Sequence, residues 1–310
     1  MNNTALEVES PIQQAIRWAM SFTSLFGVFS NIFIIIVLVN FPRNQSNYYI
    51  MVANLAMSDC LASILMSITM FTPSIRNFGE PLPNGVVIGR IVCSLKAYNS
   101  QFATFRNSAL IITTIAIERY FAVLHPIFYQ QHFGKRTCCL LSIVPWIYSL
   151  IMFLIFEMAS VSVKGSSCMT DYTSFVSLLY GIFRTADYFV LQLAIPIFCY
   201  LLIAVKLTAN IYKRSTADGA KKSKVMTKAK SSITRMLFII TFIFIITTFP
   251  MQFHFYLFVN ILKIRLWSVD SVYTKLAIFS TLINVAVNFF AYPLTNSEFK
   301  NVALKVLRLR

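Results

Sequence analysis

Apolar residues in this chain do not alternate with polar ones; they run on. Membrane-length stretches with few charges recur at approximately 18–40, 48–71, 92–117, 139–160, 176–205, 233–259 and 273–293. A hydrocarbon layer of about 30 Å needs roughly 20 apolar residues at a helical rise of about 1.5 Å. Inside lipid no water is available to backbone N–H and C=O groups, so runs of this length fold as α-helices. The pattern predicts an all-α membrane protein, a single bundle of seven spans. Arg184 and Asp187 interrupt the fifth run, the least regular of the set.

Composition agrees. Of 310 residues, 57% are hydrophobic and 12% are charged, against about 25% charged in soluble domains. Residues 1–17 are polar and lack the basic segment and small-residue cleavage site of a signal peptide. They read as an amino-terminal tail, residues 18–293 as the seven-helix domain, and 294–310 as the segment that follows it. Seven spans put the termini on opposite faces. One face collects Arg43, Lys135, Arg136, the cluster from Lys213 to Arg235, and Lys300 to Arg310. The other carries Arg17, Arg76, Arg90, Lys164, Lys263, Arg265 and Lys275. The richer face is cytoplasmic by the positive-inside rule, which puts the amino terminus outside a multi-pass protein of the plasma membrane. Asn2, in Asn2-Asn3-Thr4, is then an outer glycosylation acceptor. The net charge of +16 requires no nucleic acid, because a basic connector beside an anionic leaflet gains about 1 kcal/mol per charge.

Six cysteines are present, and only Cys93 and Cys168 fall on the outer face, where an oxidising environment can pair them. No Cys or His cluster has metal-ligand spacing. The remaining chemistry sits in unusual places. Asp59 lies in mid-span, Arg106 in mid-span on the third run, and Glu118, Arg119 and Tyr120 close that run. Charges at membrane depth are costly and mark function by default. Arg106 calls for a counter-ion, with Asp187 and Glu157 as candidates, or else it meets an anionic or carbonyl group of a ligand.

Seven spans, the outer cysteine pair and Glu118-Arg119-Tyr120 together resemble the rhodopsin-like family of G-protein-coupled receptors. The resemblance extends from Asn31 to Phe299 through Asn54-Leu55-Ala56 and Asp59, Pro126, Trp146, Pro196, Phe244 and Pro250. It continues in the Asn288-Phe289-Phe290-Ala291-Tyr292 stretch, followed by Ser297-Glu298-Phe299-Lys300 as the start of a short amphipathic eighth helix. The resemblance implies a receptor that binds an extracellular ligand and activates heterotrimeric G proteins. Glu118 restrains Arg119 at rest, and Tyr120, Ile127, Phe244, Pro250, Asn288 and Tyr292 take part in coupling and activation. Asp59, Ser108, Asn284 and Asn288 match the positions at which the family binds sodium. A dry hydrogen-bond network around Asp59 is the alternative at that place. Otherwise no cofactor or metal is expected.

The departures are informative. Thr248 stands where the family usually has tryptophan, Phe289 where it has proline, and Ala204 where it has tyrosine. Gln101 replaces the aspartate of amine receptors and Leu282 the lysine of visual pigments, which turns the reading away from both. A ligand pocket is expected from Gln101, Thr104, Arg106, Gln192, Thr248 and Gln252. The polar, mixed-charge outer surface is similar to that of peptide receptors, so a short neuropeptide leads, with chemosensing of small molecules as the alternative. A transporter or channel would show repeats and broken helices. An enzyme would need a catalytic set at depth, and His125 and His132 have no partnered Cys or Asp in sequence.

Overall fold

The computed structural model describes residues 10–40, 48–71, 99–157, 161–164, 167–170, 175–215, 221–254 and 272–308. Among the described residues, seven helices are long and apolar enough to cross a membrane. In chain order the first three are Pro11–Val39, Tyr48–Phe71 and Asn99–Leu124. The fourth is Lys135–Met152, continued by a wider-turned stretch Phe153–Glu157. The fifth runs through Phe175–Ala186, a wide-turned Asp187–Ala194, and Ile195–Ser215. The sixth is Lys221–His254 and the seventh Val272–Thr295. Short helices Pro126–His132 and Ser297–Val306 and an antiparallel strand pair, Val161–Lys164 with Ser167–Thr170, complete the architecture. Asn2 and Cys93 lie outside the described residues, while Cys168 stands on the second strand opposite Val163.

The first helix begins at Pro11, inside the stretch expected to be tail. Ser10 and Gln13 form a reciprocal capping box there, and Pro11 fits the first helical turn. Hydropathy alone places the start at Trp18 because the polar first turns are held by capping rather than by lipid.

The bundle keeps an apolar core, but it also turns apolar side chains outward to lipid and holds polar ones within. Asp59, Asn31, Gln101 and Asn288 are buried, while Phe29, Leu140, Leu201 and Phe242 are exposed. Polar residues tie the spans together, as they must where lipid supplies no hydrophobic drive between helices. Asn31 Nδ2 donates to Val285 O at 3.1 Å, joining the first span to the seventh. Asn54 Nδ2 donates to Ser142 O at 2.9 Å and Trp146 Nε1 to Asn54 Oδ1 at 2.8 Å, joining the second to the fourth. At Gly27 the first span comes so close that a Cβ would collide with Ser63 Oγ and lie 3.2 Å from Ser63 Cβ. Overpacking costs about 1–3 kcal/mol. Gly27→Val is therefore expected to lower the thermal midpoint of the purified protein by several degrees, and an unchanged midpoint would contradict this packing.

The sixth and seventh spans differ in where a proline stands. Pro250 lies inside the sixth helix, where it lacks an N–H for the intrahelical ladder. The seventh helix is continuous through Phe289, whose ring packs against Phe26 and Phe33 at 5.7 and 5.6 Å between centroids. Its proline comes later, at Pro293. Asn296 then caps Ser297–Val306, accepting from the N–H groups of Glu298 and Phe299. Phe299 turns back onto Tyr292 at 5.3 Å, which anchors this amphipathic eighth helix under the bundle.

Candidate functional site

Three polar clusters are stacked along the third span, from its Leu124 end through the middle to its Asn99 end. At the Leu124 end, Arg119 donates through Nε and Nη2 to both oxygens of Glu118, a two-point charge-assisted clamp. Glu118 is 0% exposed and Arg119 5%. A third donor, Tyr129 Oη, reaches Glu118 Oε1 from the short helix Pro126–His132. Burial, reinforced by the adjacent Glu118 carboxylate, pushes the Tyr129 phenol up, so it remains a neutral donor. Phe133, packed at 5.1 Å on Tyr129 and 5.4 Å on Phe121, fixes that helix against the third span. Ile127 on the same helix is 74% exposed. Tyr120 leaves the clamp and stands 3.4 Å from His125 Nε2.

In the middle, Asp59 is wholly buried. Ser108 Oγ donates to Asp59 Oδ1 at 2.7 Å and Asn288 Nδ2 to Oδ2 at 2.8 Å, so the second, third and seventh spans meet on one carboxylate. Ser58 Oγ lies 2.9 Å from Ser108 Oγ and accepts from Asn107 Nδ2 at 2.8 Å. Asn284, one helical turn before Asn288, is buried and its Oδ1 has no partner among the described residues. Tyr292, one turn beyond Asn288, is buried as well.

Towards the Asn99 end, Arg106 Nε lies 3.7 Å from Asp187 Oδ2, and both side chains are buried. Gln192 Nε2 donates to the same oxygen at 2.9 Å. Asp187 thus answers the search for a carboxylate facing Arg106; the side chain of Glu157 lies outside the described residues. Wide helical turns often occur at functional sites, and the one opening at Asp187 carries both Asp187 and Gln192. A cavity of about 30 Å³ lies here, with Arg106, Arg184, Asp187, Gln192, Thr248 and Gln252 on its wall. Arg184 sits 4.9 Å over the Phe102 ring.

Four of the six pocket residues expected from sequence share this cavity: Arg106, Gln192, Thr248 and Gln252. The other two do not. Gln101 is 0% exposed and turns to the second span, donating to Leu65 O and Thr69 Oγ1. Thr104 lines a separate groove between the second, third and fourth spans. The reason is angular: at about 100° per residue, Gln101, Thr104 and Ser108 share the face that meets the second span, while Arg106 and Thr113 share the face that meets the fifth. Thr113 Oγ1 donates to Leu191 O there at 2.8 Å. Thr248 donates to Phe244 O at 2.7 Å, so its hydroxyl hydrogen is committed within its own helix. Phe244 is itself buried on the cavity wall.

Sequence reasoning passed over Tyr129 and the helix that carries it. A signal was present, since Pro126 is suited to a first helical position and no glycine follows until Gly134. It also passed over Ser58 and Asn107, ordinary residues whose importance comes only from what they touch.

Residues 30–292 match the family described as 7 transmembrane receptor (rhodopsin family). The chain is similar to somatostatin receptor type 5 of Bos taurus, 25% identical over 292 residues that cover 92% of this chain and 73% of that receptor. It is similar to somatostatin receptor type 2 of Mus musculus, 25% identical over 299 residues, 91% of this chain and 74% of that one. It is also similar to the G-protein coupled receptor homolog US28 of human cytomegalovirus strain AD169, at 27% identity over 247 residues. That match covers 78% of this chain and 60% of the viral protein.

Proposed function

Since the chain belongs to the rhodopsin family of seven-transmembrane receptors, we propose that it binds an extracellular peptide and answers by activating a heterotrimeric G protein on the cytoplasmic side. Lys135, Arg136 and Lys300 stand on helices at the Leu124 end of the third span, which by the positive-inside rule supports reading that end as cytoplasmic in a plasma-membrane receptor with its amino terminus outside. The observation that carries the reading is the buried Glu118–Arg119–Tyr129 cluster at that end. Two bonds hold Arg119 to a carboxylate that Tyr129 also engages. Releasing it turns a guanidinium with five donors towards a cytoplasmic partner, beside the exposed Ile127.

Peptide binding is supported by the relatives named as somatostatin receptors and by the cavity. Its wall carries two guanidiniums and one carboxylate, which favours a ligand group rich in acceptors. At about 30 Å³ it has room for a water or two, whereas ligand pockets run from about 300 Å³. The spans must part at this end for a ligand to enter, and a ligand acts by favouring that parted state.

The Asp59 cluster suits a hard cation, which prefers oxygen ligands. Asp59, Ser108 and Asn284 Oδ1 would hold sodium, with Asn288 able to present its oxygen on rotation of the amide. When bound, the ion would neutralise the buried carboxylate. Asp59→Asn is expected to abolish any difference in agonist affinity between sodium and potassium buffers; a sodium effect that survives the substitution would place the ion elsewhere.

The test of the function is nucleotide exchange on a panel of G proteins in membranes carrying this chain, challenged with size-fractionated tissue extract before and after protease. Stimulation that protease destroys is expected. Protease-resistant stimulation would assign a small-molecule chemosensory ligand instead. Silence in every fraction with the receptor at the surface would contradict the reading.

A further inference from the structure

On the lipid side of the bundle a groove of about 180 Å³ opens between the second, third and fourth spans. Its sides are apolar: Leu65, Ala103, Leu150 and Phe153, with Leu150 56% exposed at the rim. Its floor is not. Asn107 and Ser149 also line it, each more than nine-tenths buried, and Asn107 Oδ1 and Ser149 Oγ have no hydrogen-bond partner among the described residues. A buried acceptor left unsatisfied costs about 1–3 kcal/mol, and lipid tails carry no donor to relieve it.

We propose that this groove is a binding site for a small apolar molecule that bears one hydroxyl, about the size of an alkylphenol, and enters from the bilayer. Size, chemistry and depth each narrow the occupant. A dry cavity of about 150 Å³ holds a benzene ring, so this groove takes one ring with a short substituent. A single hydroxyl would complete the floor once a small side-chain adjustment opens these enclosed oxygens to the groove: its hydrogen goes to Asn107 Oδ1, and its oxygen accepts the Ser149 hydroxyl hydrogen. Asn107 adjoins Ser108 in mid-span, far below the interface where the hydroxyls of bilayer lipids reside, so a free lipophilic molecule fits and a lipid headgroup does not.

The groove is wired to the interior. Asn107 Nδ2 donates to Ser58 Oγ at 2.8 Å, Ser58 Oγ lies 2.9 Å from Ser108 Oγ, and Ser108 donates to Asp59 at 2.7 Å. An occupant that fixes the Asn107 amide therefore fixes one end of a chain that ends on the carboxylate shared by three spans. The site stands independently of which ligand occupies the Asn99 end.

The test uses the purified full chain and three probes: 4-propylphenol, its methyl ether, and propylbenzene. The phenol is expected to raise the thermal midpoint by a few degrees in a saturable manner, the other two far less. Leu150→Trp, which fills the groove from its rim without touching the polar floor, is expected to remove the effect, as is Asn107→Leu if that variant folds. Equal shifts from all three probes would reduce the effect to apolar partitioning and overturn the proposal. So would a phenol shift that persists in Leu150→Trp, or no shift up to the solubility limit.

Discussion

Arg119→Gln is expected to reach the cell surface at near wild-type levels and to fail to activate any G protein. Glutamine leaves a neutral donor near Glu118, and Tyr129 still donates to that carboxylate, so the resting state keeps part of its clamp. The active state keeps nothing equivalent. A released guanidinium offers charge-assisted bonds worth about 1.5–3 kcal/mol each, and losing two of them is about 3 kcal/mol or more. That corresponds to at least a hundredfold fall in exchange rate. Agonist-stimulated exchange at matched surface density is the measurement; stimulation within a few-fold of wild type would remove Arg119 from the coupling role.

Asp187→Leu is expected to damage the receptor more broadly. Arg106 and Asp187 are buried together, and removing one partner of such a pair costs about 3–5 kcal/mol, because a charge is left in a dry interior. Gln192 loses its acceptor as well. The variant should be retained inside the cell and show a markedly lower thermal midpoint in detergent. Removing both charges is a different experiment. Arg106→Met combined with Asp187→Leu takes both ions out of the interior, which is often neutral or stabilising. The double variant should recover surface expression but not the response to ligand, since it strips the cavity wall of two of its polar groups. A single variant as stable as wild type would show that the pair contributes little, and a double variant with full ligand response would show that the cavity is not the ligand site.

Much of this was legible along the chain, and the reason is lipid. Backbone groups that must be satisfied internally turn every apolar run into a helix, so run length alone located seven spans. The need of Arg106 for a counter-ion was also legible, with Asp187 and Glu157 as alternatives, and Asp187 is the one that faces it. What escaped has local causes. The first helix begins earlier than its apolar run because Ser10 and Gln13 cap it. The wide turns at Phe153–Glu157 and Asp187–Ala194 follow from packing and have no residue signature. Gln101 was read as a pocket residue from its place in a family pattern, but its helical angle carries it to Thr69 and Leu65. The helix of Tyr129 had a sequence signal in Pro126, but the contact of Tyr129 with Glu118 did not, because it joins two separate helices.

The central claim is that Glu118 restrains Arg119 and that release of Arg119 drives nucleotide exchange. It is tested without a ligand by basal exchange on reconstituted G proteins, comparing wild type, Glu118→Gln, and Glu118→Gln with Arg119→Gln at matched receptor density. An amide offers one acceptor oxygen where the carboxylate offers two, so the two-point clamp loses one charge-assisted bond, worth about 1.5–3 kcal/mol. The account predicts that basal exchange rises about tenfold or more in Glu118→Gln and falls to background in the double variant. Basal exchange unchanged in Glu118→Gln, or still elevated once Arg119 is gone, would contradict it.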